Sequence, residues 1–538
     1  MADSKREIER KYEATPETRL PDLTRAAGVF EVAHRGVREL DAVYYDTDDL
    51  RLAAASLTLR RRTGGDDEGW HLKFPVASGI RDEIGAPLAD TLPDGLAALL
   101  RSRVRHAALV PVVRLRSARD VHHLLDADGA LLAELSIDEV RAERLTEDGG
   151  GATAAWTEIE VELADDGDPA FLDVVERRLR KAGVRPSASS SKLARALDET
   201  APRTGHRESE HESSHESKHE NDRGKAPGKA SGKAPGKAAS SLAKATAGDH
   251  ILAFVREQTD AIITLDPAVR RGLPDSVHRM RVATRRLRSA FRTYRRILDR
   301  TLTDPVGEEL KWLAAELGVD RDQEVLDERL SAALAALPLT LRLGPVRGRL
   351  RIWSTARRAG SRRRIVAVLD GQRYLTLLDS LDALLADPPL LPDAARSPGK
   401  ALPRAVLKDH DRLAARIDHA LAHPPGHERD LALHEARKAA KRARYAGEAA
   451  RPALGGPAKR FARRMKDVQK LLGDHQDSVV ARDALRDLAV QAYAAGESAF
   501  TWGLLHGQEE ARAAAREREL PETWARASGA GLRADLKG

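Results

Sequence analysis

The stretch HRMRVATRRLR, His278 to Arg288, returns as HEARKAAKRAR, His434 to Arg444, 156 residues further on. A helix turns about 100° per residue, so positions 0, +3, +7 and +10 fall in one sector about 80° wide. In the first copy these positions are His278, Arg281, Arg285 and Arg288; in the second they are His434, Arg437, Lys441 and Arg444. Each copy is therefore expected to be a helix carrying a cationic stripe roughly 15 Å long. Like charges on one face repel each other, a cost that a polyanion lying along the stripe would relieve. The correspondence spreads outward from the stripes. Leu317-Gly318 followed by Asp322 matches Leu472-Gly473 followed by Asp477, and Lys311 matches Lys466, all at an offset of 155. Matched features at nearly one offset read as duplicated helical units, with LG…D as a repeated turn. A solvated basic helix would account for one stripe but not for a matched pair.

Charge is unevenly spread over the 538 residues, which are enough for two or three domains. Residues 1–200 sum to −9 and residues 251–538 to +14. There are no cysteines, which excludes disulfides and thiolate metal sites. The charged start MADSKREIERKYE does not read as a signal peptide, and no apolar run has the length of a membrane span, so a cytoplasmic location is expected. Residues 201–247 run from ESEHESSHESKHEN into GKAPGKASGKAPGKA and read as a disordered polar linker. His211, His215 and His219 lie four apart there and would share a face only if the tract were helical.

Before the linker, polar and apolar residues alternate with a period of two. Glu158, Glu160 and Glu162 oppose Ile159, Val161 and Leu163; Thr58, Arg60 and Arg62 oppose Leu57 and Leu59; His71 and Lys73 oppose Trp70, Leu72 and Phe74. Glu7, Glu9 and Lys11 flank Ile8, and Glu134 and Asp138 share a face. Helical periodicity marks Leu92–Arg103 and Phe171–Lys181, which makes this an α+β domain. If such a sheet closes on itself, the charged faces turn inward and form a polar tunnel. Carboxylates there would hold a divalent cation and basic groups would hold phosphates, a combination suited to phosphoryl chemistry. After the linker, helix periodicity dominates, with starts expected near His250, Ser276, Pro305, Asp322, Val346, Gln372, Leu402, Asp430, Pro457, Asp477 and Ala494.

Residues 1–200 resemble the CYTH, or triphosphate tunnel metalloenzyme, family. Glu7-Ile8-Glu9-Arg10-Lys11 matches its ExExK signature, followed in order by Tyr44-Tyr45-Asp46-Thr47, Leu59-Arg60-Arg61-Arg62, Leu72-Lys73, Arg81-Asp82-Glu83, Arg119, Asp138, Glu158-Ile159-Glu160 and Ser191-Lys192. The resemblance implies an eight-stranded antiparallel β-tunnel acting on a triphosphate with Mg²⁺ or Mn²⁺. It makes Glu7, Glu9, Glu158 and Glu160 the metal-binding carboxylates, and Lys11, Arg60, Arg62, Lys73, Arg119 and Lys192 the phosphate clamp. Asp138 and Glu83 are lesser candidates for holding metal or orienting the clamp. Glu162 extends the carboxylate ladder, so the choice of two among Glu158, Glu160 and Glu162 stays open. Arg114 and Arg116 compete with Arg119, although Arg116 lies on the other strand face. Tripolyphosphate, thiamine triphosphate and ATP are all substrates in such a family, and no adenine or thiamine pocket is recognisable here.

The duplicated stripes resemble the CHAD domain over roughly residues 245–520. That resemblance implies two four-helix bundles related by a pseudo-two-fold, with a basic surface that binds inorganic polyphosphate through the eight stripe residues, Lys311 and Lys466. One departure is Glu435, which stands where the first copy has Arg279. Aromatic residues make up only 4% of the chain, which disfavours a nucleic-acid platform built on base stacking. The expected organisation is a tunnel domain at 1–200, a linker at 201–247, a helical polyphosphate-binding domain at 248–520 and a C-terminal tail at 521–538. The expected activity is metal-dependent hydrolysis of inorganic triphosphate, with association with polyphosphate granules. The alternatives are a non-catalytic polyphosphate-binding scaffold and a thiamine triphosphatase or adenylate cyclase.

Overall fold

The computed structural model describes residues 3–146, 151–201, 245–358 and 361–537. These fall into two compact units, one on each side of the 202–244 stretch. The expected linker, with His211, His215 and His219, lies almost wholly outside the described residues.

In the N-terminal unit eight strands of a nine-stranded antiparallel sheet close into a barrel: β1 Asp3–Ala14, β2 Glu31–Asp46, β3 Thr58–Thr63, β4 Gly69–Ala77, β5 Ile80–Ala86, β6 Val110–Leu125, β7 Leu131–Arg144 and β8 Thr153–Leu163; the ninth is the two-residue β9 Arg185–Pro186. Closure depends on β1, which pairs with both β5 and β8 and also, at Tyr12 and Glu13, with the short β9. Its first half, Asp3 to Ile8, pairs with β5; its second half, Glu9 to Ala14, pairs with β8. The switch falls at Glu9, whose N–H donates to Gly79 O in the β4–β5 turn at 2.9 Å. Gly79 has φ +70, and a Cβ there would lie 2.7 Å from Glu9 O, so only glycine lets the turn press on β1.

The alternation read from sequence sorts the two faces of this wall. Outward apolar residues are covered by helices: Leu59, Trp70, Leu72 and Ile84 pack with α2 (Asp94–Val104), and Tyr12, Ile159 and Val161 pack with α3 (Ala170–Lys181). The short α1 (Arg51–Ala54) lies between β2 and β3. A further helix, α4 (Lys192–Glu199), had no sequence-based expectation. Ser191 caps it by accepting from Ala194 N, and Leu193 and Ala196 join Val113, Leu115, Val140 and Trp156 in an apolar cluster. This cluster fills part of the barrel and leaves the charged part as the tunnel.

The C-terminal unit is all helical among the described residues: α5 Ala247–Arg271, α6 Ser276–Thr293, α7 Arg300–Glu316, α8 Gly318–Ala336, α9 Val346–Arg358, α10 Ser361–Asp370, α11 Gln372–Ala386, α12 Pro398–Ala422, α13 His427–Ala494, α14 Phe500–Ser528 and α15 Ala530–Lys537, with short 3₁₀ turns between some of them. Three starts fall where the sequence places them, at Ser276, Val346 and Gln372. Helix α5 begins at Ala247 rather than His250, because Thr246 and Asp249 form a capping box. Helix α13 is broken at Gly455 (φ 58, ψ −127), just before the start expected at Pro457. No helix starts at Asp477. Leu472-Gly473 and Asp477 lie inside α13, whereas Leu317-Gly318 lies at the α7–α8 junction, so LG…D is not a repeated turn. One continuous core joins α5, α6, α7 and α11 to α12, both segments of α13, and α14, and the Tyr294 hydroxyl donates to Ala446 O at 2.7 Å across it. A smaller core unites Leu330, Trp353, Leu485 and Trp502.

The stretch expected to be a tail, 521–538, is helical where it is described: α14 runs through Ser528, α15 follows to Lys537, and Ala527 and Leu536 are buried in the main core. Apolar spacing continues past 520, and burying it outweighs the chain entropy near the end. Leu536→Ala is expected to lower stability by about 2 kcal/mol, the low end for a buried leucine. Urea denaturation followed by far-UV circular dichroism checks this; an unpacked tail would show no change.

Candidate active site and anion-facing helices

The tunnel is a cavity of about 470 Å³. All six basic residues assigned to the phosphate clamp, Lys11, Arg60, Arg62, Lys73, Arg119 and Lys192, line it. The carboxylates divide into two groups because β1 changes partner. Glu7, on the half paired with β5, meets Lys73 Nζ at 2.5 Å, and the same ammonium lies 2.7 Å from Glu83 Oε2. Glu9 lies past the switch, with Lys11 Nζ 3.2 Å away, and Lys11 also donates to Glu160. Glu158 and Glu160 cluster with Asp138, one ligand oxygen from each lying within 4.8 Å of the others. Glu7 and Glu9 line the cavity outside that cluster, whereas Asp138 and Glu158 are buried beside Glu160 and do not line it. Glu162 sits further along the wall and pairs with the half-exposed Lys5 at 2.6 Å.

Lys192, at the first turn of α4, stands among the three clustered carboxylates. Its Nζ lies 2.9 Å from Asp138, 2.7 Å from Glu158 and 2.5 Å from Glu160. Arg119 holds Asp138 with two parallel bonds of 2.7 and 2.8 Å and reaches Glu160 at 2.7 Å. Burial alone would raise these carboxylates. Lys11, Lys192 and Arg119 instead hold Glu160 well below its ordinary range, and Arg119 and Lys192 lower Asp138. Lys192 is held above the ordinary ammonium range by Asp138 and Glu160 despite its burial. Arg62 is lowered to about 10, by burial first and then by Arg60 and Arg119.

These donors fit a hard divalent cation. The cluster is oxygen-only, as Mg²⁺ and Mn²⁺ prefer. It already encloses a cation in the form of the Lys192 ammonium, and Glu158 Oε1 is buried without a properly directed hydrogen bond even so. Arg60 Nε is likewise buried with no hydrogen-bond partner and is available to an anion.

Other lining residues carry no functional reading from sequence. Arg38 lines the cavity beside Asp66, at 2.5 Å. His71 binds Glu83 through Nδ1 and faces Asp67 O at 3.2 Å through Nε2. Strand parity puts His71 on the Lys73 face, and that is the available signal. Arg114 and Arg116 point away from the tunnel to Asp41, leaving Arg119 as the inward guanidinium.

In the C-terminal unit both stripes lie on helices, α6 and α13, and every stripe residue is half-buried. The first of the paired glycines has a role the turn reading missed. A Cβ on Gly318 would lie 2.9 Å from Arg281 Nη2, so Gly318 is a flat seat for that guanidinium, whereas one on Gly473 would lie at an ordinary contact distance of 3.5 Å from Arg437 Nη2. Arg437 also reaches Asp477 at 3.6 Å. Arg444 donates to Glu448 at 2.7 Å and to Gln469 at 3.1 Å, and Arg286 joins α6 to the same Glu448 at 3.0 Å. The Nε atoms of Arg288 and Arg437 are buried without hydrogen-bond partners. Burial, then Lys438, lowers His434 below its ordinary value, so its ring, bonded to Gln476 at 2.6 Å, adds no charge at neutral pH. Lys311 is exposed and paired with Glu308 at 2.9 Å, and Lys466 is exposed. Beyond the end of the first stripe, Arg288, Arg292, Arg295, Arg300, Arg412 and Arg442 line a cavity of about 430 Å³. Four of these lie outside both repeat stretches, and Arg442 lies within one but off its stripe.

A charged, closed β-tunnel and a duplicated helical unit with basic faces define a two-domain architecture. A CYTH domain matches residues 5–197 and a CHAD domain residues 253–486, and the chain belongs to the family that joins the two. It is 36% identical over 530 residues to an uncharacterized Mycobacterium tuberculosis protein found in strains H37Rv and CDC 1551, covering 96% of this chain and 95% of that one. Among solved structures, PptA from Streptomyces chartreusis is similar at 22% identity and a TM-score of 0.44, over 52% of this chain and 99% of that one. The CHAD domain from the plant Ricinus communis is similar at 25% identity and a TM-score of 0.40, over 55% of this chain and 92% of that one. No described helix is long and apolar enough to cross a membrane.

Burial, together with the neighbouring Glu83, pushes Glu7 up to about 8 against the pull of Lys73. A carboxyl that holds its proton more tightly folded than unfolded stabilises the fold at low pH and loses that contribution as pH rises through the folded value. The metal-free melting temperature is therefore expected to fall between the ordinary 4.5 and about 8, and Glu7→Gln to flatten that fall. Thermal melts with chelator across this window check it.

Proposed function

We propose that the tunnel hydrolyses inorganic triphosphate to pyrophosphate and phosphate with Mg²⁺ or Mn²⁺, and that the helical unit binds long-chain polyphosphate. The observation that carries the first part is one cavity lined both by six convergent basic side chains and by the carboxylates Glu7, Glu9, Glu83 and Glu160, with Asp138 and Glu158 buried beside Glu160. Asp138, Glu158 and Glu160 would hold the cation. When bound, such an ion neutralises charge on phosphate oxygens and eases ionisation of water. Lys11, Lys73, Arg60, Arg62 and Arg119 bind and orient the anion, and Lys192 exchanges its carboxylate partners for phosphate oxygens. Tyr44 is the one phenol in the described lining, with no indole or phenyl ring beside it to stack on a base. That favours an inorganic chain over ATP or thiamine triphosphate.

The second part is supported by two matched stripes of half-buried basic side chains, in which the Arg281 guanidinium sits flat on Gly318 and Arg288 and Arg437 keep buried, unbonded Nε donors. Polyphosphate offers charge and no bases, which matches a surface rich in arginine and poor in aromatic rings. A cytoplasmic, granule-associated location follows from that ligand.

The test is phosphate release from tripolyphosphate, thiamine triphosphate, ATP and long-chain polyphosphate, with Mg²⁺ and with chelator. Fast turnover of tripolyphosphate only is expected, and Glu158→Gln with Glu160→Gln should cut it at least about a hundredfold. No turnover of any substrate, with polyphosphate still bound, would support the scaffold reading. Charge reversal at Arg285 and Lys441 is expected to weaken polyphosphate binding at least about tenfold and to reduce its salt dependence, with tripolyphosphate turnover unchanged. Affinity measured at two ionic strengths checks it, and an unchanged affinity would remove the stripes from the binding surface.

A further inference from the structure

The outer wall of the barrel carries a second group of potential ligands that the tunnel reading does not use. His34 on β2 and His122 on β6 are directly opposed in the strand register. A register shift between His34 and Gly36 follows, and Asp120 comes to lie opposite Val37. Bulges of this kind bend a strand and re-aim its side chains. Arg119 and Val121 line the tunnel, so Asp120 and His122, in alternation with them, face outward. His34 Nε2 lies 2.7 Å from Asp120 Oδ1, and the two imidazole centroids are 5.0 Å apart. One ligand atom from each of the three residues lies within 4.8 Å of the other two. A surface His–Asp pair would account for the first contact. It does not account for the second imidazole, His122, whose Nδ1 is buried with no hydrogen-bond partner.

We propose that His34, Asp120 and His122 form a binding site for a borderline divalent transition-metal ion of the Zn²⁺ class, separate from the tunnel. Two imidazoles and one carboxylate are a donor set for Zn²⁺, Ni²⁺ or Co²⁺, whereas Mg²⁺ prefers oxygen alone. The side chain of His34 is 58% exposed, so water has access to complete the coordination. A metal here ties the bulged end of β2 to β6, the strand that carries Arg119 on its inner face.

The probe is Zn²⁺, measured by equilibrium dialysis against the full chain with Mg²⁺ in excess to occupy oxygen-only sites. His211, His215 and His219 are replaced by serine in the parent to remove a competing tract. One zinc equivalent is expected to disappear in His34→Ala with His122→Ala, and Asp120→Asn should weaken it at least about tenfold. Zinc should raise the melting temperature of the parent but not of the double variant, while chelated melts and circular dichroism of the two agree. The visible absorption of bound Co²⁺ should be lost in the same variant. Unchanged zinc stoichiometry and affinity in the double variant would overturn the proposal, as would anomalous diffraction at the zinc edge with density only in the tunnel. Neither result bears on triphosphate turnover, so this site and the tunnel reading fail independently.

Discussion

Buried charge must be matched locally, and the N-terminal unit is organised around that constraint. Transferring an isolated ammonium or carboxylate out of water costs several kcal/mol even after relaxation. Lys192 avoids that cost only because Asp138, Glu158 and Glu160 surround it at 2.5–2.9 Å. Those carboxylates in turn tolerate one another only because Arg119 and Lys11 approach from neighbouring strands. Closure of the sheet is what makes the matching possible. Without the split pairing of β1, Glu7 and Lys11 would belong to an open edge, and their partners on β5 and β8 would lie across solvent.

The same constraint explains how much of the tunnel is legible in the sequence. Period-two alternation separates tunnel-facing from helix-facing residues, so strand parity alone places Arg60, Lys73 and Glu160 on the inner face. Alternation gives parity, not depth along the strand or the identity of the neighbouring strand. Glu7 and Glu9 are two residues apart and share a face, yet they serve different partners because the register changes between them. That change depends on the turn at Gly79, remote in sequence from Glu9, which no local pattern reports. Asp138 ranks as a lesser candidate by sequence for the same reason: its standing follows from lying opposite Glu158 and Arg119, a tertiary fact.

In the helical unit the repeat is legible because an ionic spacing survives duplication even where the surroundings diverge. The glycines are visible too, but backbone preference alone misassigns them. A Leu-Gly pair suggests a helix end when only that preference is weighed. At Gly318 the missing side chain matters more, since the Arg281 guanidinium occupies the space a Cβ would take. The second copy has its glycine in mid-helix, where it is locally unfavourable by up to about 1 kcal/mol and where Arg437 packs at ordinary contact distance. The C-terminal helix is hidden for a simpler reason: eight residues, Ala530–Lys537, are too few for periodicity to register, and packing rather than propensity holds them.

The two basic regions differ in the state of their charges, and that difference predicts how each meets an anion. In the tunnel nearly every cation already has a carboxylate partner, so a phosphate chain would bind by exchange. Each new contact would release a carboxylate, and a second cation would be needed to keep those carboxylates neutralised. A metal requirement of the proposed reaction would thus follow from the ion-pair geometry. On the helices the stripe residues are only half-buried, and two of them keep buried Nε donors with nothing to bond. A polyanion there would meet cations partly open to solvent and so screened by salt, and affinity should follow ionic strength more than divalent metal. On the proposed reading one chain presents a buried exchange site, which suits a small substrate that must turn over, and a half-exposed basic surface, which suits a long ligand that is held.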